Sequence, residues 1–128
     1  MKTFEQFIKN HYDETSWTDT IDGEDFTVTI HQLQDYLKND PVIEIPIDEI
    51  EHISILKKTS EFPVKNVRVN AADLNFPIII TKNIDGNYHT ILDGHHRLQK
   101  AINTHQKTIK AKVLDLKTCP EKYQFLFR

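Results

Sequence analysis

The sequence predicts an α+β domain, and three observations carry that prediction. Some segments place apolar residues at helical spacing, whereas others are short β-branched runs bounded by turn residues. Two of the extended runs are joined by a short Asn/Asp/Gly turn, a connection that only antiparallel neighbours can share. The chain has 128 residues, long enough for one core and short for two.

The elements follow in order. Phe4, Phe7, Ile8 and His11 recur at helical spacing and predict a short amphipathic helix over Met1–Tyr12. Residues Asp13 to Asp25 are polar and read as a loop, with its turn at Asp22-Gly23. Thr29 is placed to cap a helix whose stripe is Ile30, Leu33, Tyr36 and Leu37, and Asn39-Asp40-Pro41 stops it. Val42–Ile47 is β-rich, and Pro46 within it points to a sheet edge or a strand end. Asp48 is the expected cap of a short helix carrying Ile50, Ile53 and Leu56. Val64, Val67 and Val69 suggest a further extended stretch, and residues 70–74 a helical turn. Residues 77–81 and 88–92 form the predicted hairpin about Asn83–Asn87. A helix over 95–104 buries Leu98, Ala101 and Ile102, a strand carries Ile109, Ala111, Val113 and Leu116, and Pro120 opens a last helix. The domain organisation expected is an N-terminal helical extension, residues 1–41, followed by one compact unit, residues 42–128.

Composition excludes several classes. Charged residues make up 27% and hydrophobic ones 38%, which fits neither a disordered polyelectrolyte nor a membrane protein. The apolar runs are far shorter than the roughly 20 residues of a membrane helix, and no secretory core follows Lys2. The single cysteine, Cys119, rules out an intramolecular disulfide framework. These features predict a soluble, cytoplasmic protein without a membrane partner. The net charge of −3 conceals an asymmetry: residues 1–62 carry 14 acidic and 5 basic side chains, residues 63–128 carry 5 and 11. The basic half suits phosphate on a nucleotide or on nucleic acid, with Lys100, Lys107, Lys110 and Lys112 as one possible basic face. Two solvated faces of one domain are the simpler reading.

The segment Leu92-Asp93-Gly94-His95-His96-Arg97-Leu98 stands where a strand hands over to a helix. The first amides of a helix lack intrahelical acceptors, and the helix dipole places partial positive charge there. Gly94 permits a positive φ or close approach of a ligand to the backbone. Arg97 brings a planar fork of donors suited to phosphate oxygens. Gly94, His95, His96 and Arg97 are therefore the candidate phosphate-binding set. A purely architectural reading also stands, in which Asp93 caps the helix, Gly94 relieves the turn and Arg97 lies in solvent.

The strand–Asp-Gly-His-His-Arg–helix sequence, with Ala101 and the later strand Ile109–Val113, resembles the ParB/sulfiredoxin superfamily, most nearly its small ParB-like nuclease domains. Ile45-Pro46-Ile47-Asp48-Glu49-Ile50 is similar to that family's opening strand and turn, so the resemblance spans about residues 42 to 116. It implies a ParB/sulfiredoxin-like mixed sheet with flanking helices, and nucleotide-phosphate binding at the strand–helix junction. Members include CTP-hydrolysing partition proteins, sulfiredoxins and ADP-dependent serine kinases. Where sulfiredoxins carry the nucleophilic cysteine this chain has His95, and only 12 residues follow Leu116, so neither sulfinic-acid repair nor partition-type operator binding is expected. The Gly-His-x-Arg form is closer to the kinase branch. Met1–Ile8 also faintly resembles the start of internal head proteins of large tailed phages.

The resemblance implies nucleotide-dependent phosphoryl transfer or hydrolysis, with ATP, ADP or CTP and Mg²⁺ as the expected ligands. In that scheme His96 donates to a phosphoryl oxygen, Asp93 either binds Mg²⁺ or fixes an imidazole tautomer, and Glu49 or Glu51 accepts a proton. The alternatives are a nucleic-acid-binding or nuclease module and a non-catalytic binding or inhibitory module. A protein partner through residues 1–41 is a further possibility. Adjacent His95 and His96 point about 100° apart on a helix, which disfavours a shared transition-metal site. Trp17 and Phe26 are expected to anchor their acidic loop on the core, and Tyr123, Phe125 and Phe127 to seal it.

Overall fold

The computed structural model describes residues 16–53 and 69–127. The helix expected over Met1–Tyr12, Leu56 and the extended stretch at Val64 and Val67 lie outside the described residues. The elements are β1 (Ser16–Ile21), β2 (Glu24–Thr29), α1 (Ile30–Leu37), β3 (Ile43–Pro46) and α2 (Ile47–Ile50) with a 3₁₀ turn over Glu51–Ile53. They continue with β4 (Ile78–Lys82), β5 (Tyr88–Asp93), α3 (His95–Asn103), β6 (Thr108–Asp115) and α4 (Glu121–Phe127). The fold is α+β: a mixed four-stranded sheet in the order β3-β6-β4-β5, a separate β1-β2 hairpin, and helices on both faces of the sheet.

The run Ile78-Ile79-Ile80-Thr81 is buried at every position, because β4 lies inside the sheet with apolar layers on both sides. Ile79 faces one layer together with Leu92 and Leu114, against Ile30, Leu33 and Leu37 of α1 and Tyr123 and Phe127 of α4. Ile78 and Ile80 face the other with Ile91, Ile109 and Ala111, against Leu98 and Ala101 of α3 and Ile47 and Ile50 of α2. β6 joins β3 antiparallel, with Ile43 opposite Ala111, and β4 parallel, with Ile78 opposite the same Ala111. Pro46 is tolerated because β3 is an edge strand, as the sequence suggests.

Four expectations require correction. Within the expected loop 13–25, the described residues 16–25 form the first strand, the turn and the start of the second strand of a hairpin, with Ser16 opposite Thr29 and Ile21 opposite Glu24. Asp22 (φ 53°) and Gly23 (φ 80°) supply the two positive φ angles of a type I′ turn, whose twist matches that of its strands. Thr18 and Thr27 join hydroxyls across it at 2.9 Å. The described part of the expected extension 1–41, from Ser16 on, is also not a separate helical unit, since Val28, Ile30, Leu33 and Leu37 belong to the same core as Leu114 and Tyr123. A domain boundary at 41/42 would divide that core. Finally, Asp48 does not cap α2. The helix begins at Ile47 directly after Pro46, and Asp48 and Glu49 occupy its first turn, where their charge complements the helix dipole. Val69 is helical rather than extended.

The Thr29 cap is found as a full capping box: Gln32 N–H donates to Thr29 Oγ1 at 3.2 Å, and Thr29 N–H to Gln32 Oε1 at 2.9 Å. At the other end of α1, Lys112 Nζ donates to the carbonyls of Leu37 (2.9 Å) and Lys38 (3.1 Å), placing a cation on unsatisfied helix carbonyls. Lys100 Nζ similarly reaches the carbonyls of Asn70 and Ala72. Two of the four lysines of the expected basic face therefore bind backbone instead. Trp17 packs edge-on against Phe127, centroids 5.5 Å apart, which fixes the hairpin on the core as anticipated.

Tyr123 stands edge-on to Tyr36 at 5.3 Å. Burial, and then the neighbouring Tyr36, Cys119 and Asp35, hold the Tyr123 phenol above its ordinary value of 10.0. The folded chain thus keeps this proton longer than the unfolded chain. The stability associated with it is intact below pH 10 and is lost as pH rises through the higher folded value. Urea midpoints measured across the alkaline range should fall above that pH, and Tyr123→Phe should make the fall shallower; an identical slope in the variant would contradict the assignment.

Candidate functional site

The site builds from the end of β5. Asp93 is its last residue, Gly94 is the N-cap of α3 at φ 104°, ψ 24°, and the first intrahelical bond runs from Leu98 N–H to Gly94 O at 2.9 Å. The amides of His95, His96 and Arg97 precede that bond, so the helix itself offers them no acceptor. Gly94 is required on two counts. Its φ is one that L side chains rarely adopt, and a Cβ there would lie 2.5 Å from Ile78 Cγ2 and 2.9 Å from Ile78 Cβ. The missing side chain serves close packing of the junction on β4, rather than opening the backbone to a ligand.

Arg97 departs from both sequence-based readings. It is 6% exposed, neither a fork presented to phosphate nor a side chain in solvent. Nη2 lies 2.9 Å from Asp93 Oδ2, and Nη1 donates to Pro77 O at 2.7 Å. One guanidinium therefore ties together the end of β5, the residue before β4 and the first turn of α3. Helical geometry explains the direction: Arg97, Leu98 and Ala101 are the buried residues of α3 and share its inner face. Sequence reasoning missed the clasp, although the spacing of Asp93 and Arg97, four residues apart with opposite charge, is a signal for it. No comparable signal marks the Pro77 carbonyl.

Asp93 is 2% exposed and makes no side-chain cap bond. Its Oδ2 is held by Arg97, while Oδ1 is buried without a hydrogen-bond partner. It does not fit the role of Mg²⁺ ligand. A guanidinium already occupies one oxygen and would repel a dication, and Mg²⁺ retains several waters that a buried carboxylate has no room for. Nor does it fix an imidazole among the described contacts. Among the described residues no group of three or more His, Cys, Asp or Glu side chains is placed to hold a metal ion. His95 and His96, in the first turn of α3, are half-buried, with His95 Nδ1 and His96 Nε2 out of solvent.

Glu49 and Glu51 are not brought to this corner by any described hydrogen bond or ion pair. Glu49 is exposed on α2, and its charge, after burial, raises the phenol of Tyr88 above the usual value. Tyr88 opens β5 and Asp93 closes it, five residues and about 16 Å further along an extended strand. The junction therefore gathers Asp93, Gly94, His95, His96 and Arg97, while Glu49 stands by Tyr88 at the other end of β5. What it offers chemically is a set of helix-end amides and two imidazoles above a neutral, buried ion pair.

Comparisons with protein-family models, with curated proteins and with solved structures find no match for this chain. Among the described residues, no helix is long and apolar enough to cross a membrane.

Removing one partner of a buried ion pair leaves the other charge without compensation, at a cost of about 3–5 kcal/mol. Arg97→Ala should lower the unfolding free energy by about that amount in a urea titration. Arg97→Lys should recover only part of it, because an ammonium cannot reproduce the fork spanning Asp93 and Pro77. A loss under about 1 kcal/mol would place the pair in solvent instead. Gly94→Ala, which combines a disfavoured φ with a clash against Ile78, should cost at least about 2 kcal/mol in the same assay.

Proposed function

We propose that this chain is a nucleotide-phosphate-binding domain of the ParB/sulfiredoxin type, with its site at the β5–α3 junction. The observation that carries the reading is the N-terminus of α3, a nine-residue helix entered from an αL glycine, with His95 and His96 half-exposed on its first two positions. Partial positive charge and outward amides at such a terminus suit phosphate oxygens. The Asp93–Arg97 clasp adds no net charge and acts instead by fixing the strand-to-helix bend. His96 is the candidate donor to a phosphoryl oxygen, and His95 the second imidazole contact. Mg²⁺, in this reading, comes coordinated by the nucleotide's own phosphates.

The geometry supports binding further than it supports turnover. Phosphoryl transfer or hydrolysis needs a base beside the attacking hydroxyl or water. Asp93 is committed to Arg97, and Glu49 lies by Tyr88. Binding without turnover is thus the form of the proposal that the described residues favour, with nucleotide-dependent phosphoryl transfer as its extension. Nucleic-acid binding is weakened by Lys100 and Lys112 being engaged with backbone carbonyls.

Thermal-shift and calorimetric titrations with ATP, ADP and CTP, with and without Mg²⁺, test this directly. At least one nucleotide should stabilise the chain at physiological salt, and His96→Ala should reduce that shift when each protein is compared with its own ligand-free melting temperature. Stabilisation by DNA alone, falling steeply with added salt, would replace the proposal with nucleic-acid binding.

A further inference from the structure

We infer that Asp22-Gly23, the tip of the β1-β2 hairpin, is a covalent modification site, where the folded chain converts aspartate to isoaspartate through a cyclic succinimide. Each of the three glycines in the chain follows an aspartate: Asp22-Gly23, Asp85-Gly86 and Asp93-Gly94. Such pairs are prone to this reaction because glycine places no side chain in the way of its own attacking nitrogen. The glycine nitrogen bonds to Cγ of the aspartic acid, and the amide proton and the carboxyl hydroxyl leave as one water. A second water then opens the ring. Opening at Cγ restores aspartate; opening at the main-chain carbonyl leaves the chain running through Cγ, with a free α-carboxylate. One water is lost and one gained, so the product is an isomer with one more atom in its backbone.

The reaction needs a carboxyl free to swing, an uncommitted amide and access for water, and the fold divides the three pairs on those demands. Asp93 is 2% exposed, its Oδ2 lies 2.9 Å from Arg97 Nη2, and Gly94 is packed on Ile78. Asp85 is exposed, but both reacting groups are engaged: its Oδ1 accepts from Asn87 N–H at 2.9 Å, and Gly86 N–H donates to Asn83 O at 2.9 Å. Asp22 and Gly23 are exposed, and among the described residues neither the Asp22 carboxylate nor the Gly23 amide has a hydrogen-bond partner. Bringing the Gly23 nitrogen onto Cγ requires the Asp22-Gly23 peptide to turn out of its type I′ geometry. Only the tip has to open for that, because Ile21 and Glu24 are the last pair of the ladder, and the Trp17–Phe127 anchor lies towards its other end. The extra backbone atom in the product does not fit a two-residue turn, so the change marks the hairpin while leaving its anchor in place.

The test ages the unaltered chain at mildly acidic pH in heavy-oxygen water, once folded and once in urea, and maps its peptides by chromatography and mass spectrometry. Each ring opening deposits one heavy oxygen, and the isoaspartyl peptide elutes apart from its aspartyl form. In the folded chain, label and isoaspartate should accumulate at residue 22 at least roughly tenfold faster than at residues 85 and 93, whose reaction requires larger opening. In urea the three positions should react at comparable rates. A folded chain that reacts no faster at residue 22 than at residue 85 or 93 overturns the inference. The same preference for residue 22 in urea also overturns it, since the selectivity would then come from neighbouring side chains and not from the fold.

Discussion

A guanidinium buried in the first turn of a helix must be neutralised and hydrogen-bonded where it lies, and that requirement organises the β5–α3 corner. Arg97 meets it with two partners from different elements, the carboxylate of Asp93 and the carbonyl of Pro77. The angle between strand and helix is then no longer set by the glycine alone. Gly94 allows the turn, Ile78 leaves no space for a side chain beside it, and the ion pair fixes the result. The cost of desolvating both charges is offset only because the contacts are short and shared. Such pairs often determine which arrangement forms more than how stable it is.

The same economy of charge runs through the molecule. The ammonium groups of Lys100, in α3, and Lys112, in β6, reach the ends of other helical segments and satisfy carbonyls that would otherwise lack donors. The basic character of the second half of the sequence is thus partly structural. The two-sided sheet gives the acidic first half a comparable role. Its α1 closes one apolar face, and the hairpin before it is held there by Trp17 on Phe127. An apparent division of the chain by charge does not correspond to a division of its core.

Much of the fold is legible in the sequence where local chemistry dictates it. The Thr29 capping box, the hairpin about residues 83–87, the uninterrupted isoleucines of β4 and the edge position of Pro46 all follow from side-chain type and spacing. The β1-β2 hairpin was harder to read because its exposed faces are acidic and threonine-rich, so the alternation of a half-buried strand is faint. The Asp22-Gly23 pair flanked by β-formers was the usable signal. At the site, the strand-to-helix handover was legible, but the direction of Arg97 was not. That direction depends on the inner face of α3 and on a carbonyl twenty residues earlier, neither visible in the motif itself.

The topology bears on how the chain comes to be folded during synthesis. β6 lies between β3 and β4, so the interior of the sheet includes the strand that is last in sequence. β4 and β5 can pair as soon as both emerge, since a short turn joins them. β3 has no described sheet neighbour except β6, and β3 is separated from it by the whole β4–α3 segment. During translation the edge formed by Ile43–Pro46 therefore waits for β6 while about half of the molecule is made. Its brevity and its proline then have a second use, because a short strand that lacks one amide hydrogen is a poor template for a neighbouring nascent chain.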